Sequence, residues 1–165
     1  MEYRGGKWWK SPEKSRQAEW GGAMFSGTFR PRLDDKGRLF LPAKFREPMG
    51  DGLVITRGQD RSIDVRTQAA FAEFTEKFRH ASQTDARLRA YGRMLFALAS
   101  EQVPDKQGRI TVTPELRDYA SLDRDCVVIG IYDRIEIWEP RAWADYTAQQ
   151  ESAFSDVQEE IFPGF

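Results

Sequence analysis

The chain has 165 residues, of which 40% are hydrophobic and 31% charged, and its formal net charge is −1. This size and apolar content predict one compact folded domain or two very small ones. The near-neutral charge excludes a protein that coats nucleic acid through a general basic excess. One cysteine and one histidine exclude an intrachain disulfide, a Cys/His zinc cage and a histidine-rich catalytic zinc site.

Other functional classes lack the segments that they need. No run approaches the roughly 18 apolar residues of a membrane span, and the N-terminus lacks the apolar part of a secretory signal, so we expect a cytoplasmic protein. The phosphate-binding patterns GxGxxG and GxxxxGK(S/T) do not occur. A Ser/His/Asp triad would need His80, which we place exposed at a helix end. We therefore predict that the chain is not an enzyme, and that it has no catalytic residue, cofactor or metal site.

Residues 1–23 are predicted to form a flexible N-terminal extension, and Met24 is taken as the start of the folded part. This segment has no helical or strand period and contains glycine pairs near both ends. Its tryptophans Trp8, Trp9 and Trp20 lie between cations, so base stacking is the alternative interpretation.

The folded part begins with a strand, a basic turn and a second strand. The stretch SGTFRPRL (26–33) is predicted to run extended into the turn Asp34–Gly37, which suits a type I turn that closes a hairpin. Beyond the turn, Arg38 and Phe40 point to one side of the strand and the alternating leucines to the other. A short helix should follow, because Pro42 suits a first helical turn.

Four more elements are predicted before the pattern returns. GLVIT (52–56) and SIDV (62–65) indicate strands, whereas TQAAFAEFTEKFRHA (67–81) and DARLRAYGRMLFAL (85–98) indicate amphipathic helices. The last of these helices leads into the second basic turn.

The second part of the chain repeats the first. The repeated elements are, in order, the turn Asp105–Gly108, the strand RITV (109–112), a helix capped by Thr113, the strands CVVIGI (126–131) and RIEIW (134–138), and the helix PRAWADYTAQQ (140–150). Three matched pairs are each 71 positions apart, namely Gly37/Gly108, Arg38/Arg109 and Arg46/Arg117. This is the signature of a tandem duplication. Cys126 begins one of these strands and is predicted to be a buried thiol.

The repeated short strands of one half, about forty residues, cannot bury enough surface to fold alone. We therefore predict an α+β protein in which two tandem β-β-α-β-β half-units, 24–83 and 84–165, share one core. Interlocking the halves as a closed or nearly closed sheet would also remove exposed strand edges. The second half-unit includes the preceding helix and the C-terminal segment.

The two turns differ in charge. Residues 30–46 contain six cations and two carboxylates, a balance of +4, whereas residues 101–117 contain three groups of each sign. We therefore expect the first turn to dominate contacts with phosphates.

An arginine follows the glycine of each turn and can reach outward to DNA. A guanidinium such as that of Arg38 or Arg109 can bond guanine O6 and N7 together, which is worth about 1–3 kcal/mol of base discrimination. The further cations predicted to contact DNA are Lys36, Lys106, Arg30, Arg32 and Lys44, the first four of them at phosphates. The turns themselves are predicted to be structured by Asp34, Gly37, Asp105 and Gly108. The alternative is a solvated basic turn whose Asp–Arg pairs are ordinary surface ion pairs.

A family resemblance rests on four segments and on a doubled Asp-x-x-x-Arg signature. The segments are MFSGTFRPRLDDKGRLFLPAKFRE, GLVITRGQDR, VPDKQGRITVTPELRDYA and DRIEIW. Over residues 24–164 the chain resembles the MraZ family, bacterial transcription regulators encoded beside cell-division and cell-wall genes. That family is related to AbrB-like swapped-hairpin proteins. The resemblance implies that the two half-units build one swapped-hairpin barrel core, with extra helices.

The resemblance also implies a function. Family members form ring-shaped homo-oligomers that bind G-containing direct repeats upstream of their own operon, so the implied partners are double-stranded DNA and further copies of the chain, at the nucleoid. The C-terminal segment 151–165 and apolar strand faces could supply subunit contacts. The alternative is an antitoxin-like or other protein-interaction barrel without specific DNA readout, although such an antitoxin would carry one hairpin copy and a long tail. A hydrolase would require His80 or a carboxylate pair.

Overall fold

The computed structural model of the protein describes residues 24–81, 83–162 and 164. The predicted extension 1–23 and its tryptophans lie outside these residues. Within the described chain, helices and antiparallel strands together form an α+β fold, as predicted.

The strands form one large sheet and one small ribbon. The strands of the described chain are β1 (Phe25–Phe29), β2 (Arg38–Phe40), β3 (Leu53–Arg57), β4 (Ile63–Thr67), β5 (Ser100–Gln102), β6 (Arg109–Thr111), β7 (Val127–Tyr132) and β8 (Arg134–Trp138). Six of them form a sheet in the order β1-β7-β8-β4-β3-β5, and β2 pairs with β6 as a separate β2–β6 ribbon.

The helices follow the predicted order. They are α1 (Ala43–Met49), α2 (Gln68–Arg79), α3 (Ala86–Ala97), α4 (Pro114–Tyr119) and α5 (Pro140–Ile161). Thr113 caps α4 by accepting a hydrogen bond from the Leu116 N–H at 3.4 Å, and Pro114 is the first helical residue, which confirms that prediction. Pro42 instead lies one position before α1, as its N-cap.

Pairing between strands mostly joins the two halves of the chain. β1 pairs with β7, β2 with β6, β3 with β5 and β4 with β8, whereas only β3–β4 and β7–β8 join strands of the same half. The predicted hairpin across Asp34–Gly37 is therefore wrong beyond the turn itself. The turn does close, because the Asp34 N–H donates a hydrogen bond to the Arg38 carbonyl at 2.9 Å. The strands on its two sides, however, pair with strands of the other half. Turn residues specify the bend and do not choose the strand partner.

One hydrophobic core lies between the ribbon, α1, α4 and the inner face of the sheet. Both halves contribute to it: the fully buried side chains include Leu39, Phe45, Ile55 and Val65 from the first half and Ile110, Leu116, Ile135 and Ile137 from the second. Cys126 belongs to the same cluster, as predicted, and burial raises the pKa of its thiol to about 12. Shared burial explains how short strands become stable together.

The opposite face of the sheet holds a buried charge cluster. Asp64 lies 3.3 Å from Nη1 of Arg66 and 3.5 Å from Nε of Arg134, and Arg134 also contacts Glu136 at 3.1 Å. Burial raises the pKa of Asp64 to about 6, against the opposing effect of the two arginines. The Arg66 guanidinium covers the Phe74 ring of α2, at 4.0 Å from the ring centroid.

The last helix is longer than predicted. We expected a helix over residues 140–150 and a separate C-terminal segment, but α5 continues to Ile161. Trp143 and Tyr146 on its first turns pack against Trp138 of the sheet, whereas Phe154 is 80% exposed. No helix of the described chain has the length and apolar content that crossing a membrane requires.

Candidate nucleic-acid interface

The first basic turn is organised by one carboxylate. Oδ1 of Asp34 accepts hydrogen bonds from the N–H groups of Lys36 and Arg38, both at 2.9 Å, and Gly37 completes the turn with a left-handed φ of 73°. A side chain that accepts from N–H groups two and four residues ahead stabilises the bend through local hydrogen bonds. Asp34 therefore contributes side-chain hydrogen bonds to this turn, and Gly37 contributes its left-handed backbone conformation.

The second turn repeats this geometry. Oδ1 of Asp105 accepts from the N–H groups of Gln107 and Arg109, both at 2.9 Å, and Gly108 has a φ of 76°. The duplication therefore extends to individual hydrogen bonds.

Each aspartate also holds the arginine of its own turn. Nε of Arg38 donates to Oδ2 of Asp34 at 2.7 Å, and Nε of Arg109 donates to Oδ2 of Asp105 at 2.8 Å. Donation by the arginine N–H groups, backbone first and then side chain, holds the pKa of both carboxyls below the ordinary value. Both carboxylates are therefore ionised at neutral pH, and both arginines are oriented through Nε.

The two signatures meet at the ribbon. Nη1 of Arg109 lies 3.8 Å from Oδ2 of Asp34, so the second arginine approaches both carboxylates. The side chains of Arg38 and Arg109 are 29% and 19% exposed. Within the described chain, no hydrogen bond engages the Nη groups of Arg38, which are available to a ligand.

Four side chains form what we call the outer face of the ribbon: Arg38, Phe40, Arg109 and Thr111. The register pairs Arg38 with Thr111 and Phe40 with Arg109, while Leu39 pairs with Ile110 on the buried side. Alternation along a strand places these four residues on one side. The Arg109 guanidinium lies 5.8 Å from the centre of the Phe40 ring.

Each turn is supported by an arginine from the other half. The side chain of Arg46 lies directly against Gly108, and that of Arg117 lies against Gly37, where an added Cβ would come within 2.9 Å of Cζ. The ribbon ends bond to the same glycines, through the N–H groups of Leu41 and Val112. The repeat spacing indicated that Arg46 and Arg117 correspond, but not that each supports the opposite turn.

The remaining predicted cations are in different surroundings. Lys36, Lys106 and Arg30 are exposed. Arg32 forms an exposed ion pair with Asp125 at 2.9 Å, so part of its charge is already compensated. The ammonium group of Lys44 lies 5.8 Å from the ring of Phe29 and 5.7 Å from that of Phe45, on α1 rather than on a turn.

Several residues near the ribbon were not identified from the sequence. Gln102 bonds to Thr111 through both ends of its amide: Nε2 donates to the Thr111 carbonyl at 2.7 Å and Oε1 accepts from its N–H at 2.8 Å. Arg124 pairs with Asp35 of the first turn. Phe40 is 52% exposed, on the side of β2 that the strand alternation predicted, but its contact with the Arg109 guanidinium was not identified.

Neither a metal cluster nor a buried histidine lies near the ribbon in the described chain. No group of three or more His, Cys, Asp and Glu side chains there could hold a metal ion. His80 is exposed at the end of α2, 3.5 Å from Glu76, which is the position expected from the sequence.

Comparison with known proteins gives two matches to one family model. The model is described as "MraZ protein, putative antitoxin-like", and it matches residues 24–94 and again residues 95–163. Two matches in tandem confirm the predicted duplication.

Curated relatives are similar over nearly their whole length. A protein of Corynebacterium jeikeium is 53% identical over 142 residues, one of Leifsonia xyli subsp. xyli is 52% identical over 141, and one of Thermobifida fusca is 50% identical over 141. Each alignment covers 86% of this chain and 99% of the relative. All three relatives carry the name "Transcriptional regulator MraZ".

Proposed function

Because this chain belongs to the MraZ family, we propose that it is a transcriptional regulator that binds specific sites on double-stranded DNA through the outer face of the ribbon. The proposal places the protein at the nucleoid in the cytoplasm and assigns it no catalytic step. The observation that carries it is the pair of arginines, each oriented by an aspartate through Nε, on one side of a two-stranded ribbon.

A ribbon of this kind suits the major groove. That groove admits a two-stranded β-ribbon, and arginine there bonds guanine O6 and N7 together. In this proposal Arg38 and Arg109 read guanine with their Nη groups, while Nε remains bound to the carboxylate. Orientation through Nε lowers the entropic cost of binding, since less side-chain freedom is lost.

The exposed turn cations are assigned to phosphates. Lys36 and Lys106 occupy equivalent positions in the two turns, and each neutralised phosphate adds about 0.9 to the salt slope of binding. Arg30 is a further candidate. Arg32 and Lys44 remain in the proposal as weaker contributors, because one is paired with Asp125 and the other lies over two aromatic rings.

One ribbon has a small footprint, so we propose that several subunits act together. A head-to-tail ring of copies of this chain would present its ribbons in the same orientation, which favours direct repeats about one helical turn, or about 10 bp, apart rather than a palindrome. G-containing repeats upstream of the gene itself are the proposed target.

The same proposal describes the core as a swapped-hairpin barrel built from half-units 24–83 and 84–165. The exchange of strands between halves supports this description. The family-model matches meet between residues 94 and 95, inside α3, slightly beyond the proposed boundary.

The decisive experiment compares two double variants on DNA from upstream of the gene. Arg38→Ala/Arg109→Ala should retain the circular dichroism spectrum and oligomer mass of the parent protein but lose its preference for the guanine-containing repeat. Lys36→Ala/Lys106→Ala is the matched control. It should weaken binding to all sequences and reduce the salt slope by about 2. Unchanged sequence preference in the arginine variant would refute the assignment.

The second candidate function is an antitoxin-like or other protein-interaction barrel. The family description includes the term antitoxin-like, and Phe154, Ile161 and Phe162 are exposed apolar residues at the C-terminal end. The same DNA titrations separate the two functions. A protein-interaction barrel would bind all DNA sequences equally weakly, both as the parent protein and as the Arg38→Ala/Arg109→Ala variant.

A further inference from the structure

Phe40 is an exposed aromatic residue, and the residue at the equivalent position of the second half is not aromatic. Its side chain is 52% exposed on the outer face of the ribbon, and Thr111, which lies 71 positions later, occupies the equivalent place in β6. An exposed aromatic side chain on a strand of three residues adds nothing to the core, which Leu39 already fills from the opposite side of the same strand.

From this placement we infer that Phe40 reads the 5-methyl group of a thymine beside the guanine bound by the ribbon. The inference rests on the proposed function. In the major groove, thymine alone of the four standard bases presents a methyl group, and apolar side chains, phenylalanine among them, contact it. Phe40 would therefore be a specificity residue, in addition to the two arginines.

The surroundings of Phe40 favour DNA as the molecule that this side chain contacts. Arg38 lies two positions away along the same strand, and Arg109 lies directly opposite, with its guanidinium 5.8 Å from the ring centre. An apolar side chain flanked by two cations matches an anionic surface that also offers apolar groups. Duplex DNA presents both in its major groove, with phosphates along the rim and thymine methyl groups on the floor.

The spacing also fits the base stack. Residues i and i+2 of a strand are about 7 Å apart, which is about two base-pair steps of 3.4 Å. If β2 follows the groove, the thymine read by Phe40 lies within about two base pairs of the guanine read by Arg38. The second half presents Thr111 at the matching place, so the ribbon offers its aromatic side chain at the β2 end and a smaller threonine methyl at the β6 end.

The test combines one substitution in the protein with one in the DNA. Each thymine of a duplex from upstream of the gene is replaced singly by deoxyuridine, which removes only the methyl group. Binding of the parent protein should weaken about fourfold at one or more positions, the effect of losing one buried methyl contact. Phe40→Ala should weaken binding to the thymine duplex by a similar factor and show no further loss with deoxyuridine.

Thr111→Ala, on the same face, is the control variant and should keep its sensitivity to deoxyuridine at the Phe40 position. Two results would overturn the inference while leaving the proposed function intact. In the first, guanine substitutions weaken binding but no deoxyuridine substitution weakens it. In the second, Phe40→Ala changes the oligomer mass but leaves the sensitivity to deoxyuridine unchanged. The latter would assign Phe40 to a subunit contact. Absence of sequence preference in the parent protein would instead reject the proposed function, and this inference with it.

Discussion

The aspartate of each Asp-x-x-x-Arg signature has two functions, and each of its two carboxylate oxygens performs one of them. In the first turn, Oδ1 of Asp34 accepts from backbone N–H groups and Oδ2 accepts from Arg38. The signature is therefore a unit of turn and oriented arginine, and a change at the aspartate affects both.

Asparagine and alanine at position 105 should separate these two functions. Asp105→Asn keeps an oxygen for the N–H groups of Gln107 and Arg109 but loses the ionised partner of the Arg109 side chain. We expect a small decrease in Tm for the asparagine variant, a larger decrease for Asp105→Ala, and weaker specific DNA binding for both. Thermal unfolding followed by DNA titration measures the two effects, and equal Tm values for both variants would contradict the division.

The turn glycines are required by backbone conformation and by a close neighbour. At Gly108 the φ is 76° and a Cβ would collide with the Arg46 side chain. Gly108→Ala should therefore lower the free energy of unfolding by about 1–2 kcal/mol, as measured by denaturant titration. Gly50→Ala is the matched control, because Gly50 has an ordinary helical φ of −61°, and it should leave stability nearly unchanged. Equal losses in the two variants would show that the left-handed turn is not the cause.

At the scale of elements, the ribbon is attached to the large sheet through a side chain. The Gln102 amide bonds to both backbone groups of Thr111, and so replaces a strand partner at the edge of β6. The first half has Pro31 at the corresponding position, so this attachment is particular to the second half.

Removal of this amide should loosen the ribbon. Gln102→Ala loses two hydrogen bonds to Thr111 and a third to the Ser100 hydroxyl, and should cost about 1 kcal/mol, or about 3 °C in Tm. The Thr111 amide should also exchange its hydrogen faster. Gln102→Glu retains an acceptor for the Thr111 N–H but turns a carboxylate oxygen toward the Thr111 carbonyl in place of a donor, so we expect it to loosen the ribbon as well. Unchanged hydrogen exchange at Thr111 in the alanine variant would refute this role.

The charge cluster on the outer side of the sheet makes stability depend on pH. The folded-state pKa of Asp64 is raised to about 6 from an ordinary value of 3.8, so protonation favours the folded state. This contribution is fully present below pH 3.8 and is lost as the pH rises through 6.

The free energy of unfolding should therefore increase by about 1 kcal/mol between pH 7.5 and pH 5. Asp64→Asn should lack that increase, which urea titrations at the two pH values would detect. The turn carboxyls act in the opposite direction. Because the pKa values of Asp34 and Asp105 are lowered, their stabilising contribution is present above 3.8 and is lost as the pH falls below it. A parent protein less stable at pH 5 than at pH 7.5 would contradict the assignment to Asp64.

At the scale of the whole molecule, neither half has the strand partners that it needs. β1, β2 and β4 all pair with strands of the second half, and the core mixes residues of both. Fragments 24–83 and 84–165, expressed separately, should therefore lack cooperative unfolding as monomers. Mixed in equal amounts, they should recover it, as followed by circular dichroism and sedimentation. A monomeric 24–83 fragment with a sharp transition would show that the halves are independent.

Much of the fold and part of the candidate site could be predicted from local residues. The turn at Asp34–Gly37 and the start of α4 at Pro114 depend on contacts within a few positions, so their residue types indicated them correctly. The hairpin across the first turn was wrong, because its strands pair with distant segments. The support of Gly108 by Arg46 could not be predicted, since these residues are 62 positions apart.

The sequence by itself determined the duplication, the order of elements, the two Asp-x-x-x-Arg turns and the family, because each of these depends on residue types at short or regular spacing. Only the tertiary structure decided which strands pair, which arginine supports which turn and where Phe40 lies relative to Arg109. The physical reason is that local hydrogen bonds select a backbone conformation, whereas burial of a common core selects the partners among segments far apart in the chain.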